Sequence, residues 1–169
     1  GISTLIEEER INGAIVIDLG GNITSFGVFI NNKIIFSDSI PIGGIHITSD
    51  IVRGLGVKAE DAEKIKILYG SAISNETDEY TKIEVPIISD DGEITNQKIP
   101  KAMLTAIIKP RIDEIFELVK ERLSFLKFRN SSINRAILCG GGANLNNIRE
   151  HASSLLNINV RIGRPIGLI

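Results

Sequence analysis

The first third of the chain alternates short apolar runs with turn-forming residues. An apolar run at residues 14–17 leads into Asp18 and a glycine pair, and two further runs rich in β-branched residues flank Asn31 and Asn32. A two-residue turn between apolar runs is typical of a β-hairpin. The pattern therefore predicts an antiparallel meander of three strands, over residues 13–19, 23–30 and 33–38.

The middle of the chain changes to helical spacing. Ile47, Ile51 and Leu55 recur every four residues, and acidic residues cluster at the start of the next periodic segment, where the helix dipole favours them. Further on, an Asp-Gly turn separates two possible strands. The first of them contains Pro86, and because proline cannot donate to a ladder of hydrogen bonds, we expect an edge strand. We expect two helices and two strands here, over residues 45–55, 57–69, 83–88 and 93–99.

The last third contains the longest helical pattern and a second glycine cluster. Apolar residues follow one helix face over residues 101–128, and Pro110, which lacks an amide proton, should kink or split that helix. A short apolar strand at residues 135–139 runs directly into the glycine triplet 140–142. We expect a helix over residues 143–156 and a final strand over residues 159–162.

Composition limits the class of protein. The chain has 169 residues, 43% of them hydrophobic and 24% charged, which suits one soluble domain or one domain with a small insertion. A formal net charge of −2 gives no electrostatic reason to expect nucleic-acid binding. The single cysteine, Cys139, excludes an internal disulfide framework, and no apolar run is long enough to span a bilayer. Because the chain starts at Gly1 on what reads as mid-protein sequence, we expect a fragment.

The first glycine turn carries candidate chemistry. Gly20, Gly21 and Asn22 accept the backbone conformations of a tight turn, whose amides, beside Thr24, can cradle a phosphate. Asp18 precedes the turn, and its carboxylate could hold a metal through water, since hard cations prefer oxygen ligands. Taken alone, this stretch is explained equally well as a hairpin turn stabilised by an aspartate.

The second glycine cluster changes that balance. Gly140, Gly141 and Gly142 follow an apolar strand, so that the backbone can lie flat against a ligand ring or sugar. Glu63 and Lys66 stand one turn apart on an intervening helix. Together these features indicate a nucleotide held between two loops and a helix.

Several motifs resemble those of the actin-fold ATP-binding proteins, and most closely those of the FtsA family, bacterial actin homologues of cell division. Residues 18–25 match in part the second phosphate motif of the fold, and residues 138–145 match its adenosine motif. Glu63 and Lys66 match the Glu-x-x-Lys pair found around adenosine in relatives similar to the heat-shock ATPases. Further stretches that resemble FtsA rather than a sugar kinase or chaperone are residues 40–50, 107–115 and 160–165.

The resemblance implies an α/β fold: the RNase-H-like half of an actin fold, with a mixed five-stranded sheet, helices and a small inserted α+β subdomain. Residues 1–56 and 101–169 would form subdomain 2A, and residues 57–100 the inserted subdomain 2B. ATP and Mg²⁺ would be the cofactors of the full-length protein, with Asp18 holding the metal through water. The residues that the resemblance places at the nucleotide are Asp18, Gly20, Gly21, Asn22, Thr24, Glu63, Lys66, Gly140, Gly141, Gly142 and Asn144.

The resemblance also implies partners and a location. A protein of this kind is expected to bind the C-terminal tail of the tubulin-like FtsZ, to polymerise head to tail and to meet other division proteins. It would work in the cytoplasm, at the inner face of the cell membrane at the division site, through a C-terminal membrane helix that is absent here. Arg111, in a Pro-Arg motif, is the candidate for the acidic FtsZ tail, and an ordinary exposed arginine explains it about as well.

Three positions depart from the phosphate motif. Asn22 stands where relatives have glycine, Ile23 where they have threonine and Ser25 where they have aspartate. The last two changes remove a hydroxyl and a carboxylate, so we expect ATP hydrolysis to be weak or absent in the full-length protein, and this piece alone to bind nucleotide weakly or not at all. Two alternatives stay open: half of another actin-fold enzyme (a sugar- or acetate-kinase-like phosphotransferase, or a chaperone ATPase) and an unrelated α/β domain with two glycine turns.

Overall fold

The computed structural model describes residues 5–7, 9, 13–31, 33–125 and 133–163. The strands in this part of the chain are β1 (Ala14–Leu19), β2 (Thr24–Ile30), β3 (Lys33–Ile40), β4 (Lys82–Ile88), β5 (Ile94–Pro100), β6 (Arg135–Cys139) and β7 (Asn159–Ile162). The helices are α1 (Gly44–Leu55), α2 (Ala59–Tyr69), α3 (Lys101–Phe125) and α4 (Ile148–Leu156), with a 3-10 helix over Gly141–Asn144.

A mixed five-stranded sheet has the strand order β3-β2-β1-β6-β7. β2 is antiparallel to both β1 and β3, whereas β6 is parallel to β1 and β7 is parallel to β6. Asn31 begins the predicted turn between β2 and β3 with a φ of 50°, which asparagine tolerates better than most residues, and Asn32 lies outside the described residues. The predicted meander and the predicted mixed sheet are both confirmed.

The described residues divide into two compact units. The first takes its residues from 1–44, 114–143 and 149–169, and the second from 45–113 and 144–148. The five-stranded sheet lies in the first unit, and an antiparallel pair of β4 and β5 lies in the second. The subdomain limits implied by the resemblance differ from this division and stay a prediction.

Each unit buries apolar side chains. In the second unit, α1 buries Ile47, Ile51 and Leu55, the residues whose spacing predicted this helix. Burying such side chains stabilises the fold by about 25 cal/mol per Å² of apolar surface. A buried cluster in the first unit consists of Leu5, Ala14, Val16, Phe29, Ile137 and Cys139.

Pro110 was expected to kink or split this helix. Helix α3 is continuous through Pro110, so a split is wrong, and a kink stays a prediction. Proline lacks an amide proton and costs about 3 kcal/mol in a helix interior. The buried face of α3 outweighs that cost, because Leu104, Ile108 and Ile112 are all at most 1% exposed. Residues 126–128 of the predicted helix lie outside the described residues, and no helix within the described ranges is both long and apolar enough to cross a lipid bilayer.

Helix α4 begins at Ile148 and not at residue 143, so its predicted start is wrong. The intervening residues are engaged elsewhere in the second unit. The Asn146 amide donates to the Gly70 carbonyl at 3.2 Å, and the Ala72 amide donates to the Asn146 carbonyl at 2.9 Å. Asn147 has a φ of 63°, outside the helical region, so the α-helix starts only after it.

Candidate functional site

The loops that follow β1 and β6 leave the sheet at the same edge. The two strands are parallel neighbours, and Asp18 is in register with Cys139. Gly140 has a φ of +85°, and a Cβ atom there would collide with a carboxylate oxygen of Asp18 and lie 2.7 Å from the Leu19 carbonyl oxygen. This position therefore requires glycine, which brings the second glycine loop into contact with the predicted metal carboxylate.

The other two glycines of the triplet have opposite surroundings. A Cβ atom on Gly142 would lie 2.7 Å from the Cβ atom of Leu19, whereas one on Gly141 would meet nothing within 4 Å. Gly142 therefore packs on the end of β1, and Gly141 presents the surface that is open to a ligand.

A third glycine loop supports the first turn. The Gly44 amide donates to the Gly20 carbonyl at 2.9 Å. A Cβ atom on Gly43 would lie 2.6 Å from the carbonyl oxygens of both Gly20 and Gly21. The glycine pair before α1 thus packs against the predicted phosphate turn, and it is glycine because the two backbones approach so closely.

Thr24 supports the turn from within. It is fully buried, and its hydroxyl donates to the Ile42 carbonyl at 2.8 Å. Because a threonine has one hydroxyl proton, Thr24 would have to give up this bond to donate to a phosphate. Its predicted contact with the nucleotide stays a prediction.

The outer surface of these loops is accessible. Asp18 lies at the end of β1 with its side chain exposed. Mg²⁺ usually keeps several waters and takes one or two carboxylates together with substrate phosphates, so a single aspartate beside a phosphate turn fits such a metal. Within the described ranges, no three His, Cys, Asp or Glu side chains gather to hold a metal by themselves. The exposed members of the predicted loops are Asp18, Gly21, Asn22, Gly140 and Gly141.

Cys139 lies directly beneath this edge. Burial raises the pKa of its thiol, and the negative charge of Asp18 raises it further. The thiol therefore stays protonated and neutral at physiological pH, and contributes packing rather than a nucleophile.

Glu63 and Lys66 meet in the second unit, as their spacing on α2 predicted. The Lys66 ammonium lies 2.9 Å from Glu63 Oε2, with the Lys66 side chain 13% exposed and that of Glu63 48% exposed. Thr48, on α1, joins the pair: its Oγ1 donates to Glu63 Oε2 at 2.6 Å and accepts from Lys66 Nζ at 2.8 Å. Burial alone would raise the pKa of Glu63, but the hydrogen bonds from Thr48 and Lys66 outweigh it and hold that pKa below its usual value.

Asn144 and Arg111 also belong to the second unit. Asn144 ends the 3-10 helix and is exposed. Arg111 is 24% exposed and binds Asp50 with two hydrogen bonds, from Nε and from Nη2, each 2.8 Å long. These bonds lower the pKa of Asp50. The guanidinium is thus already engaged by a carboxylate, and its predicted contact with an acidic tail stays a prediction.

Comparison with known proteins decides the family. The family model described as "Cell division protein FtsA" matches residues 15–168. The chain belongs to the FtsA family. Curated FtsA proteins are similar along nearly its whole length: that of Rhizobium meliloti is 38% identical over 99% of this chain, and that of Escherichia coli is 30% identical over 98%. The chain spans 38% and 40% of the length of these two FtsA proteins.

Solved structures confirm the actin fold. MreB5 of Spiroplasma citri bound to ADP superposes with a TM-score of 0.75 and 24% identity, over 97% of this chain and 52% of that one. A non-polymerising mutant of MamK bound to AMPPNP superposes with a TM-score of 0.70 and 13% identity, over 92% of this chain and 50% of that one. At these identities the similarity establishes the fold, and the predicted α/β class is confirmed.

The motifs that resemble FtsA singled out glycines, acidic residues, a lysine and Arg111, but not the residues that form hydrogen bonds with those charged side chains. Thr48 and Asp50 were not singled out, although both lie in the stretch 40–50 that resembles FtsA. The position of Thr48 along α1 was enough to predict that its side chain is buried. Positions 47, 51 and 55 form the buried stripe of α1, so Thr48 next to it was bound to be largely buried and to need a polar partner.

Proposed function

We propose that this chain is part of an ATP-binding, actin-like FtsA protein that serves as an adaptor in cell division. ATP would bind with Mg²⁺, its phosphates against the turn at Gly20, Gly21 and Asn22 and its adenosine against the glycine triplet. The family membership supports this role. The nucleotides in the MreB5 and MamK structures, ADP and AMPPNP, support the choice of ligand.

The observation that carries the proposal is the close packing of three glycine loops at the end of β1: the triplet loop against the exposed Asp18 carboxylate, and the Gly43–Gly44 loop against the Gly20–Gly21 turn. Gly140 touches Asp18 with no room for a Cβ atom, and Gly43 touches the carbonyl oxygens of the Gly20–Gly21 turn. Loops packed this closely are held in place before any ligand arrives, which lowers the entropic cost of binding. A turn that served only to reverse the chain would need neither contact.

The proposed roles follow from the chemistry of each group. Asp18 would hold Mg²⁺ through water, and the ion would supply positive charge beside the phosphates. Gly20, Gly21 and Asn22 supply backbone close to the phosphates, with Thr24 supporting the turn. The glycine triplet supplies a flat stretch of backbone for the adenosine. We assign no catalytic residue: Ile23 and Ser25 offer neither of the groups that the family motif has there, so hydrolysis is weak or absent.

The resemblance assigns Glu63, Lys66 and Asn144 to the same nucleotide, and we retain them as adenosine contacts. A carboxylate accepts hydrogen bonds from sugar hydroxyls, and an amide side chain both donates and accepts. Single variants at each position test these contacts one at a time.

The wider role is proposed from the family. We infer that the full-length protein binds the C-terminal tail of FtsZ, self-associates into filaments, meets other division proteins and works at the inner face of the cell membrane at the division site. Membrane contact would come from a C-terminal amphipathic helix of the full-length protein. Arg111 is retained as the candidate for the FtsZ tail.

Isothermal titration of the full-length protein with Mg-ATP tests nucleotide binding. We expect saturable binding that Asp18→Ala weakens by about tenfold or more, since charge-assisted contacts are worth roughly 1.5–3 kcal/mol. Asp90→Ala, which removes an exposed acid from the turn between β4 and β5, is the matched control and should bind as wild type. Absence of binding at millimolar Mg-ATP would overturn the proposal.

A phosphate-release assay distinguishes the adaptor from an actin-fold enzyme. The adaptor should release phosphate slowly, and the rate should not respond to added sugars or acetate. Strong stimulation by either small molecule would instead favour a phosphotransferase, and stimulation by an unfolded peptide would favour a chaperone ATPase.

A further inference from the structure

Thr48 stands between the two charged residues that the proposed function assigns to adenosine. Its side chain comes from α1, whereas Glu63 and Lys66 come from α2. The hydroxyl donates its proton to Glu63 Oε2 and accepts a proton from Lys66, at 2.6 and 2.8 Å. The residue is only 8% exposed. One neutral hydroxyl thus bonds to both charged groups at once.

The hydrogen bonds to Glu63 fall on one of its two oxygens. Both the Thr48 hydroxyl and the Lys66 ammonium bind Oε2. Oε1 has no hydrogen-bond partner among the residues that the structure describes, and the side chain is 48% exposed. A carboxylate oxygen accepts and cannot donate, so Oε1 offers an acceptor to a donor in solution.

We propose that Thr48 is a positioning residue for nucleotide recognition, which fixes the Glu63 carboxylate so that Oε1 accepts a hydrogen bond from a ribose hydroxyl. The inference rests on the proposed binding of ATP. A half-exposed glutamate has three rotatable bonds, and the entropy of ordering them would otherwise be lost on binding. If Glu63 had only its salt bridge to Lys66, its carboxylate could still rotate about that one contact. The second bond, from a different helix, removes this freedom.

The experiment compares ATP, 2′-deoxy-ATP and 3′-deoxy-ATP as ligands of the full-length protein. Thr48→Val replaces the hydroxyl by a methyl group of similar size, and Thr48→Ser keeps the hydroxyl. Thr105→Val is the matched control: Thr105 is fully buried in the same unit, and within the described ranges its hydroxyl donates to the Lys101 carbonyl of its own helix and to no other group. Thermal melting verifies that each variant folds, and Thr48→Ala replaces the valine variant if that one does not.

We expect Thr48→Val to weaken ATP binding by about tenfold, the size of one hydrogen bond to a charged group. The loss should be smaller for at least one deoxy analogue, because that ligand lacks the hydroxyl that Glu63 would bind. Thr48→Ser and Thr105→Val should bind ATP within about twofold of wild type. A structural role alone would weaken the three ligands equally.

The outcome for wild type distinguishes failure of the positioning role from failure of the proposed function. If wild type binds ATP but Thr48→Val binds all three nucleotides as wild type does, or loses them equally, the positioning role is overturned and the proposed function stands. If wild type binds none of them, the proposed function is overturned and the positioning role falls with it.

Discussion

Gly141 and Gly142 are neighbours that should respond oppositely to the same substitution. A Cβ atom on Gly142 would press on Leu19, whereas one on Gly141 has open space around it. We expect Gly142→Ala to destabilise the protein by about 1–3 kcal/mol through overpacking. Gly141→Ala should leave stability unchanged or raise it by up to about 1 kcal/mol, because it restricts the unfolded chain. Urea unfolding of the full-length variants measures both, and equal losses would contradict the packing described here.

Glu9 and Arg161 should make stability depend on pH. Hydrogen bonds from Arg161 lower the pKa of Glu9, which is 2% exposed. A lowered pKa in the folded state stabilises the protein above the unfolded pKa, and this contribution is lost as the pH falls through the folded value. Arg161→Gln should therefore cost about 1–3 kcal/mol at neutral pH, and the difference from wild type should shrink below about pH 4.

The control for that pair is an exposed one. Arg149 binds Glu150 on the surface of α4, with both side chains more than half exposed. Solvent screens such pairs, so Arg149→Gln should behave as wild type at both pH values. If the difference between Arg161→Gln and wild type were the same at neutral and acid pH, the proposed linkage to Glu9 would be wrong.

At the scale of single residues, the sequence located the glycines but not their contacts. Both Gly20 and Gly140 follow an apolar run and could be recognised as turn residues. Gly140 has a φ of +85°, which few other residues accept, whereas Gly20 is glycine because a Cβ atom there would lie 2.7 Å from the Ile23 carbonyl oxygen. The contact of Gly43 with the first turn was not readable, since its partners are backbone atoms more than 20 residues away along the chain. Backbone atoms are the same in every residue and leave no signal in the sequence.

At the scale of elements, α3 offers a direct test of what holds a helix together. Pro110 is exposed, and the helix passes through it. Pro110→Ala should restore an amide hydrogen bond and stabilise the protein by about 1–3 kcal/mol, less than the full proline penalty because proline also stiffens the unfolded chain. Lys120→Ala, at another exposed position of α3, should change stability by less than about 0.5 kcal/mol.

Thermal unfolding distinguishes these outcomes. A melting temperature that falls in Pro110→Ala would mean that the ring makes contacts worth more than the missing hydrogen bond. The same comparison explains why the sequence predicted a kink or a split at Pro110. The local cost of proline is visible in the sequence, whereas the buried face that compensates for it depends on what packs against the helix.

The elements themselves were largely predictable. β6 and β7 begin and end at the predicted residues. β6 is a short apolar run that ends at the glycine triplet, and β7 alternates polar and apolar residues before Gly163. The start of α4 was not predictable. Asn146 and Asn147 have low helix propensity, and asparagine is a preferred residue just before a helix, but the predicted helix ran through both. In the structure the backbone of Asn146 pairs with Gly70 and Ala72, which keeps it out of the helix.

At the scale of the whole protein, Arg111 connects the fold to a proposed partner. Binding of a peptide with the FtsZ C-terminal tail to the full-length protein should weaken about tenfold in Arg111→Ala, if the guanidinium exchanges Asp50 for the peptide. Asp50→Asn weakens the internal pair without removing the arginine, so it should bind the peptide at least as well as wild type. Fluorescence anisotropy at near-physiological salt measures both.

Loss of peptide binding in both variants would contradict a direct contact. It would mean that the Arg111–Asp50 pair supports the surface but does not itself meet the peptide. Arg53→Ala is the matched control, because Arg53 also binds Asp50 but its side chain is 71% exposed, and its removal should leave peptide binding unchanged.

The sequence by itself determined the order of elements, because apolar periodicity and turn residues are local along the chain. Its short motifs, through their resemblance to FtsA, indicated the class of fold and the family. It also located the carboxylate and the glycines of the candidate site. Only the tertiary structure decided which residues support the site. Gly43 packs against the first turn, and Thr24 donates to the Ile42 carbonyl. Thr48 forms hydrogen bonds with both Glu63 and Lys66. Those contacts join positions 15 or more residues apart, and their energy depends on burial and distance, which exist only once the chain has folded.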